Sequence, residues 1–176
     1  VQPSAVMTIS GAADKTIEGP FTLINLSTAG STLNDAAIGG SGRLTLSGAL
    51  ASTGTSSIAG PVTNDGGMLN VSGGTLTLIS PYTQSGSTTQ VSAGATLAVP
   101  AGMTMSAGVL SGTGTVSGDV LNSGGSVQPG GAGAIGTLTI RGNYTQGTQG
   151  RLEVDLSGTQ AGQFDQLVVG NTASLS

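Results

Sequence analysis

Gly54-Thr-Ser-Ser-Ile-Ala-Gly-Pro-Val-Thr-Asn-Asp-Gly-Gly67 and Gly112-Thr-Gly-Thr-Val-Ser-Gly-Asp-Val-Leu-Asn-Ser-Gly-Gly125 are one block written twice, 58 residues apart. Downstream, Gly74-Thr-Leu-Thr-Leu78 leads to Tyr82-Thr-Gln84 as Gly136-Thr-Leu-Thr-Ile140 leads to Tyr144-Thr-Gln146, now at an offset of 62. The four extra residues fall in the Pro129-to-Gly133 stretch. Repetition without helical periodicity points to a solenoid, whose stacked turns bury a core that no single turn could bury.

Around the block, apolar residues alternate with Ser, Thr or Gly and then stop at a turn. Leu44-Thr-Leu46, Leu76-Thr-Leu78, Leu97-Ala-Val99, Met103-Thr-Met105, Leu138-Thr-Ile140 and Leu152-Glu-Val154-Asp-Leu156 all have period two, the pattern of a strand with one buried face. Gly-Gly, Ser-Gly, Asn-Asp-Gly and Pro-Gly punctuate them. Helix formers are too sparse and Gly too frequent for a long helix. With roughly 18–24 residues per turn of a three-sided coil, the repeat spans about three turns. The whole chain then makes about eight, on the order of 40 Å at the usual strand spacing. The expected class is all-β: a right-handed parallel β-helix (β-solenoid) of about eight turns, incomplete at its C-terminal end, where Leu175-Ser176 reads as the middle of another strand. Residues 1–50 are less regular and are expected to form a cap and first turns. Residues 51–176 are expected to form the regular solenoid, with the internal repeat 54–84 and 112–146.

Composition supports a thin aliphatic core. Gly is 32 of 176 residues, and Phe21, Phe164, Tyr82 and Tyr144 are the only aromatics. Regularly placed Leu, Val and Ile separate the chain from a disordered Gly/Ser linker. Lys15, Arg43, Arg141 and Arg151 stand against eight carboxylates, for a net charge of −4. So few cations argue against nucleic acid and anionic membranes as partners. No apolar run reaches eighteen residues, so no membrane span is expected. With neither Cys nor His, a zinc set has no ligands, and no cofactor or metal is expected. Absent Cys and His and scarce charge suit an extracellular protein of a Gram-negative type. The chain opens without a basic, then apolar, leader, so any signal peptide is expected to have been removed.

Candidate chemistry is thin. A glycosidase needs two carboxylates facing one substrate; the acids are Asp14, Glu18, Asp35, Asp65, Asp119, Glu153, Asp155 and Asp165. Asp65 and Asp119 lie at non-equivalent positions of the two copies. Glu153 and Asp155 flank Val154, so on a strand they would share one face with Arg151 and could bind a cation or a sugar; a solvated ladder edge is the plainer expectation. Gly130-Gly-Ala-Gly133 lacks the Asp of a calcium nonapeptide. Asp165 is expected to accept hydrogen bonds from a turn. Tyr82 and Tyr144 are expected to stack within the structure, and Met103 and Met105 to fill core gaps. The Thr-x-Thr pairs at 53/55, 75/77, 113/115 and 137/139 resemble an ice-matching array, but their spacing in sequence is unequal.

Gly112-Thr-Gly-Thr-Val116, Asn122-Ser-Gly-Gly125, Val127-Gln-Pro-Gly130, Gly136-Thr-Leu-Thr-Ile140, Gly142-Asn-Tyr-Thr-Gln146 and Phe164-Asp-Gln-Leu-Val-Val-Gly170 follow one another in an order that resembles bacterial autotransporter passenger domains and the autotransporter-associated β-strand repeats. The resemblance implies a right-handed parallel β-helix exported across the outer membrane, with the Asp-Gln-Leu region helping it to fold. The functional expectation is a non-catalytic, secreted structural or adhesive solenoid at a bacterial cell surface. It would self-associate as a homo-oligomer or filament, or bind a surface glycan. A polysaccharide-binding or polysaccharide-degrading protein on the same scaffold is the alternative.

Overall fold

The computed structural model describes residues 31–176, together with the backbone of the strands Lys15–Ile17 and Leu23–Leu26. It is an all-β parallel β-solenoid of about six turns in which the described residues form no helix. The chain visits three sheets in strict rotation. The first sheet has eight strands, from Lys15–Ile17 to Gln166–Val169; the second has eight, from Leu23–Leu26 to Ala173–Leu175; the third has seven, from Ser31–Leu33 to Arg151–Leu152. Every ladder within these sheets is parallel. Among the described residues the single antiparallel contact is an isolated bridge between Leu156 and Phe164.

Strands of three or four residues follow from the sequence. Most carry one or two inward apolar side chains and meet a Gly, Ser or Asp within a residue or two, which turns the corner. Inward residues stack on their equivalents one turn away: Leu76 on Leu97 and Leu97 on Val116 in the first sheet, Leu50 on Leu69 in the third. Leu46, Leu69, Leu76, Leu97, Leu138 and Ile140 are fully buried. Each such side chain contributes about 1.5–3 kcal/mol of apolar burial. The core therefore runs along the axis as parallel columns.

The expected cap region divides. Residues 31–50 supply Ser31–Leu33, Ala36–Ile38 and Arg43–Leu46, all paired in register with the following turns. Residues 1–14 and the side chains of residues 15–30, Asp14, Lys15, Glu18 and Phe21 among them, lie outside the described residues.

The repeat stacks three turns apart where the second sheet carries it. Val62 pairs with Tyr82, Tyr82 with Met103, and Met103 with Val120, so Val62 and Val120 share a column as their sequence match requires. Tyr82 reaches Tyr144 by the same route. In the first sheet the match slips. Ser56 pairs with Leu76, then Leu97, then Val116, so Val116 stands in the column of Ser56 rather than of its sequence partner Ile58. Ser56 and Val62 lie six residues apart, as do Leu76 and Tyr82 and Leu97 and Met103, whereas Val116 and Val120 lie four apart, so the shortened corner at Gly118-Asp119 absorbs two positions of register. Because side chains alternate with period two, the slip keeps inward residues inward. Gly118 makes the fit possible: a Cβ there would fall 2.2 Å from the Val99 carbonyl oxygen, and its φ is +143°. The four extra residues lie where expected. The corner between Ser126–Pro129 and Thr137–Ile140 has seven residues, against three between Met68–Val71 and Thr75–Leu78.

Candidate functional site

The six described carboxylates are all committed to bonds between or beside turns. Asp35 Oδ1 accepts the Thr55 amide at 2.8 Å, and Asp65 Oδ1 accepts the Ser85 hydroxyl at 3.1 Å. Asp119 Oδ1 accepts both the main-chain and side-chain nitrogens of Asn143, at 2.8 and 3.0 Å. Glu153 takes the Ser126 hydroxyl at 2.7 Å and the Gln128 amide at 2.6 Å. Asp155 accepts Gly133 N–H at 2.9 Å. Asp165, buried, accepts Gly136 N–H at 2.8 Å and Asp155 N–H at 2.9 Å, which ties the 130–136 corner to the long loop 153–165. Asp65 lies in the corner after Val62–Asn64, and Asp165, just before the strand Gln166–Val169, accepts a hydrogen bond from the 130–136 corner, as the sequence suggests. The pattern that sequence reasoning missed is that these acids act across turns; the signal was their recurrence beside Gly and Asn at corners.

The Arg151-Glu153-Asp155 grouping is corrected. The strand is only Arg151–Leu152, and its last pair is Val127 with Leu152. Glu153 N–H still bonds the Val127 carbonyl at 2.9 Å, but the next ladder bond would need an amide hydrogen from Pro129, which has none. The chain leaves the sheet there. Glu153 then turns to Ser126 and Gln128 while Asp155 turns to Gly133, so the two acids do not share one ladder face. Hydrogen bonds from Ser126 and Gln128, with Arg151 nearby, hold the Glu153 carboxyl below its ordinary pKa.

Tyr82 and Tyr144 are buried in the second sheet's inward column, closed to a sugar. The Tyr82 hydroxyl hydrogen-bonds the Thr89 hydroxyl, which donates to Gln84 Oε1 at 2.6 Å. Burial pushes the Tyr82 phenol up to about 12 against the opposing pull of those hydrogen bonds. Tyr144 donates to Gln146 Oε1 at 2.9 Å and accepts Asn122 Nδ2 at 3.3 Å, and burial raises its pKa too. Beside the tyrosines runs a second column, Leu46–Asn64–Gln84–Met105–Asn122–Gln146–Leu175, in which amides replace aliphatic side chains on four turns. Met103 and Met105 are buried as expected.

The threonines behave differently from the sequence reading. Thr75, Thr96, Thr115 and Thr139 stand in one outward column on four successive turns of the first sheet. Thr45, Thr63, Thr83 and Thr104 do the same on the second sheet. Unequal offsets along the chain become equal steps in space because corner lengths absorb the difference. At the next corner Ser85, Ser106 and Ser123 each donate their hydroxyl to the carbonyl of the preceding turn, at 3.4, 3.4 and 2.8 Å, forming a serine seam.

The concave feature of note is an open cleft of about 760 Å³ lined by Gly108, Val109, Gly124, Gly125, Ser126 and residues 148–151. Among the described residues no group of three or more metal-ligating side chains occurs, and no helix is long and apolar enough to cross a membrane. Comparison of the chain with protein families, characterised proteins and solved structures finds no match.

Proposed function

We propose that this chain is a non-catalytic structural or adhesive solenoid, secreted to a bacterial surface as a passenger-type or fibre-forming segment. The observation that carries the reading is the commitment of every described carboxylate to bonds that tie the backbone and side chains of neighbouring turns and loops. An enzyme on such a scaffold keeps at least one acid or base free toward a substrate. Here the acids serve the rod. Outward columns of Thr and Ser present a neutral hydroxylated surface suited to copies of itself or to glycans.

The same reading takes the winding as right-handed and the full chain as about eight turns. Strand–crossover–parallel-strand connections are right-handed in about 98% of cases, and each sheet here is built entirely of them. Electron microscopy of the purified protein tests the proposal: rods, bundles or filaments are expected. Compact particles, or release of reducing sugars from polysaccharide by the purified protein, would overturn it.

A further inference from the structure

We propose that the cleft at the corner between the second and third sheets binds a carboxylate-bearing sugar, a uronic acid residue of a surface polysaccharide, with Arg151 as its anchor. The inference rests on the adhesive reading above and names the ligand class of one place on the rod.

The cleft lies where successive corners differ in length. The corner 147–150, between Tyr144–Gln146 and Arg151–Leu152, has four residues, against three at 123–125 and three at 106–108 on the two preceding turns, and it sits beside the glycine pair Gly124-Gly125. Its volume of about 760 Å³ lies within the range of small-ligand sites. Gly108, Gly124, Gly125 and Gly150 line it because their turns stack too closely for a Cβ: one would fall 2.4, 2.5, 2.9 and 2.5 Å from a main-chain oxygen of a neighbouring turn.

The lining offers main-chain donors and acceptors at one corner and a single cation, Arg151. Among the described residues the Arg151 guanidinium makes no hydrogen bond, and the main-chain N–H groups of Gly124, Thr148 and Gln149 meet no acceptor. Glu153, the nearest carboxylate in sequence, already receives Ser126 on one oxygen and Gln128 on the other. Glu153 and Arg151 feel each other's charge but share no hydrogen bond, so the guanidinium fork keeps its five donors, and a planar fork matches a carboxylate in bidentate geometry. Thr148 and Gln149 add side chains able to meet sugar hydroxyls. No aromatic side chain lines the cleft, which disfavours a neutral sugar held by stacking. A chain with four cations in all does not attract polyanions at long range, so recognition is local, at a single acidic unit.

The test is titration of the folded protein with tri-galacturonate, and with the neutral galactose trisaccharide, by calorimetry in low and moderate salt. Binding of tri-galacturonate alone is expected. Arg151→Gln should weaken it at least tenfold, Arg151→Lys less, and Arg43→Gln not at all, with circular dichroism and melting unchanged in each variant. Gln149→Ala should weaken it several-fold. Equal binding of the neutral trisaccharide, no binding of either sugar, or undiminished binding by Arg151→Gln would overturn the proposal. Failure of the broader reading shows separately: new reducing ends would mean turnover, with the cleft's ligand preference intact.

Discussion

Tyr82 and Tyr144 occupy one inward column of the second sheet, separated by Met103 and Val120, and each turns its hydroxyl toward a buried polar neighbour. The aliphatic core is thus interrupted at regular intervals by a hydrogen-bonded polar cluster. Buried polar groups of this kind stabilise only while every member has its partner.

Replacing Thr89 by Val removes the hydroxyl that Tyr82 and Gln84 share while nearly preserving volume. Leaving a buried acceptor unpaired costs about 1–3 kcal/mol. Urea denaturation should show a lower midpoint with little change in slope, and Thr88→Val, on the outward face of the same strand, should be close to neutral.

Alkaline pH should destabilise the rod through Tyr82. Its phenol keeps its proton to about pH 12 in the folded state but ionises near 10 when unfolded. The stabilisation is complete below pH 10 and is lost as pH rises toward 12, at about 1.4 kcal/mol per pH unit at most. Melting temperature followed from pH 9 to 12 should fall, and Tyr82→Phe should flatten part of that fall. A wild-type curve with no decline above pH 10 would refute the assignment.

Gly118 and Gly66 both have positive φ, yet only one is crowded. A methyl group at Gly118 meets the Val99 carbonyl oxygen at 2.2 Å, whereas none of the surroundings lie within 4 Å of a Cβ at Gly66. Gly118→Ala should cost more than the 1–3 kcal/mol typical of a strained backbone position alone; Gly66→Ala should cost about that or less. Comparative thermal melts measure the difference.

Asp165→Ala should release the 130–136 corner and the loop 153–165 together, because one carboxylate holds Gly136 and Asp155. The amides of Gly136 and Asp155 should then exchange with solvent at least tenfold faster. Strands such as Leu50–Ser52, several turns away, should keep their protection. Uniform loss along the whole rod would show the bond to be part of a global lock.

The winding was legible in the chain because alternation and the repeated block act locally: Leu76-Thr-Leu78 reads as a strand with one buried face, and it is one. The sheet in which the repeat would stack without slipping was not legible. Ile58 and Val116 match in sequence yet stand in neighbouring columns, since the two residues dropped between Val116 and Val120, relative to Ser56 and Val62, are decided by how strands seat in three dimensions. The threonine columns stayed hidden for the same reason, offsets along the chain being blind to corner length. Arg151, Glu153 and Asp155 were grouped by strand periodicity, and Pro129, on the neighbouring turn, ended the strand that the grouping assumed. The cleft depends on one extra residue at the corner 147–150 and on no motif.

The two-position register step at the Gly118-Asp119 corner means that this scaffold reckons length changes by parity. An even shift along a strand exchanges one interior column for its neighbour and leaves inside and outside intact, while whole excursions such as residues 153–165 are shed at corners. Foreign peptide segments could therefore be grafted at the corner after Pro129 with the ladders on either side still closing, whereas a single residue inserted within Thr137–Ile140 would turn its threonines into the core.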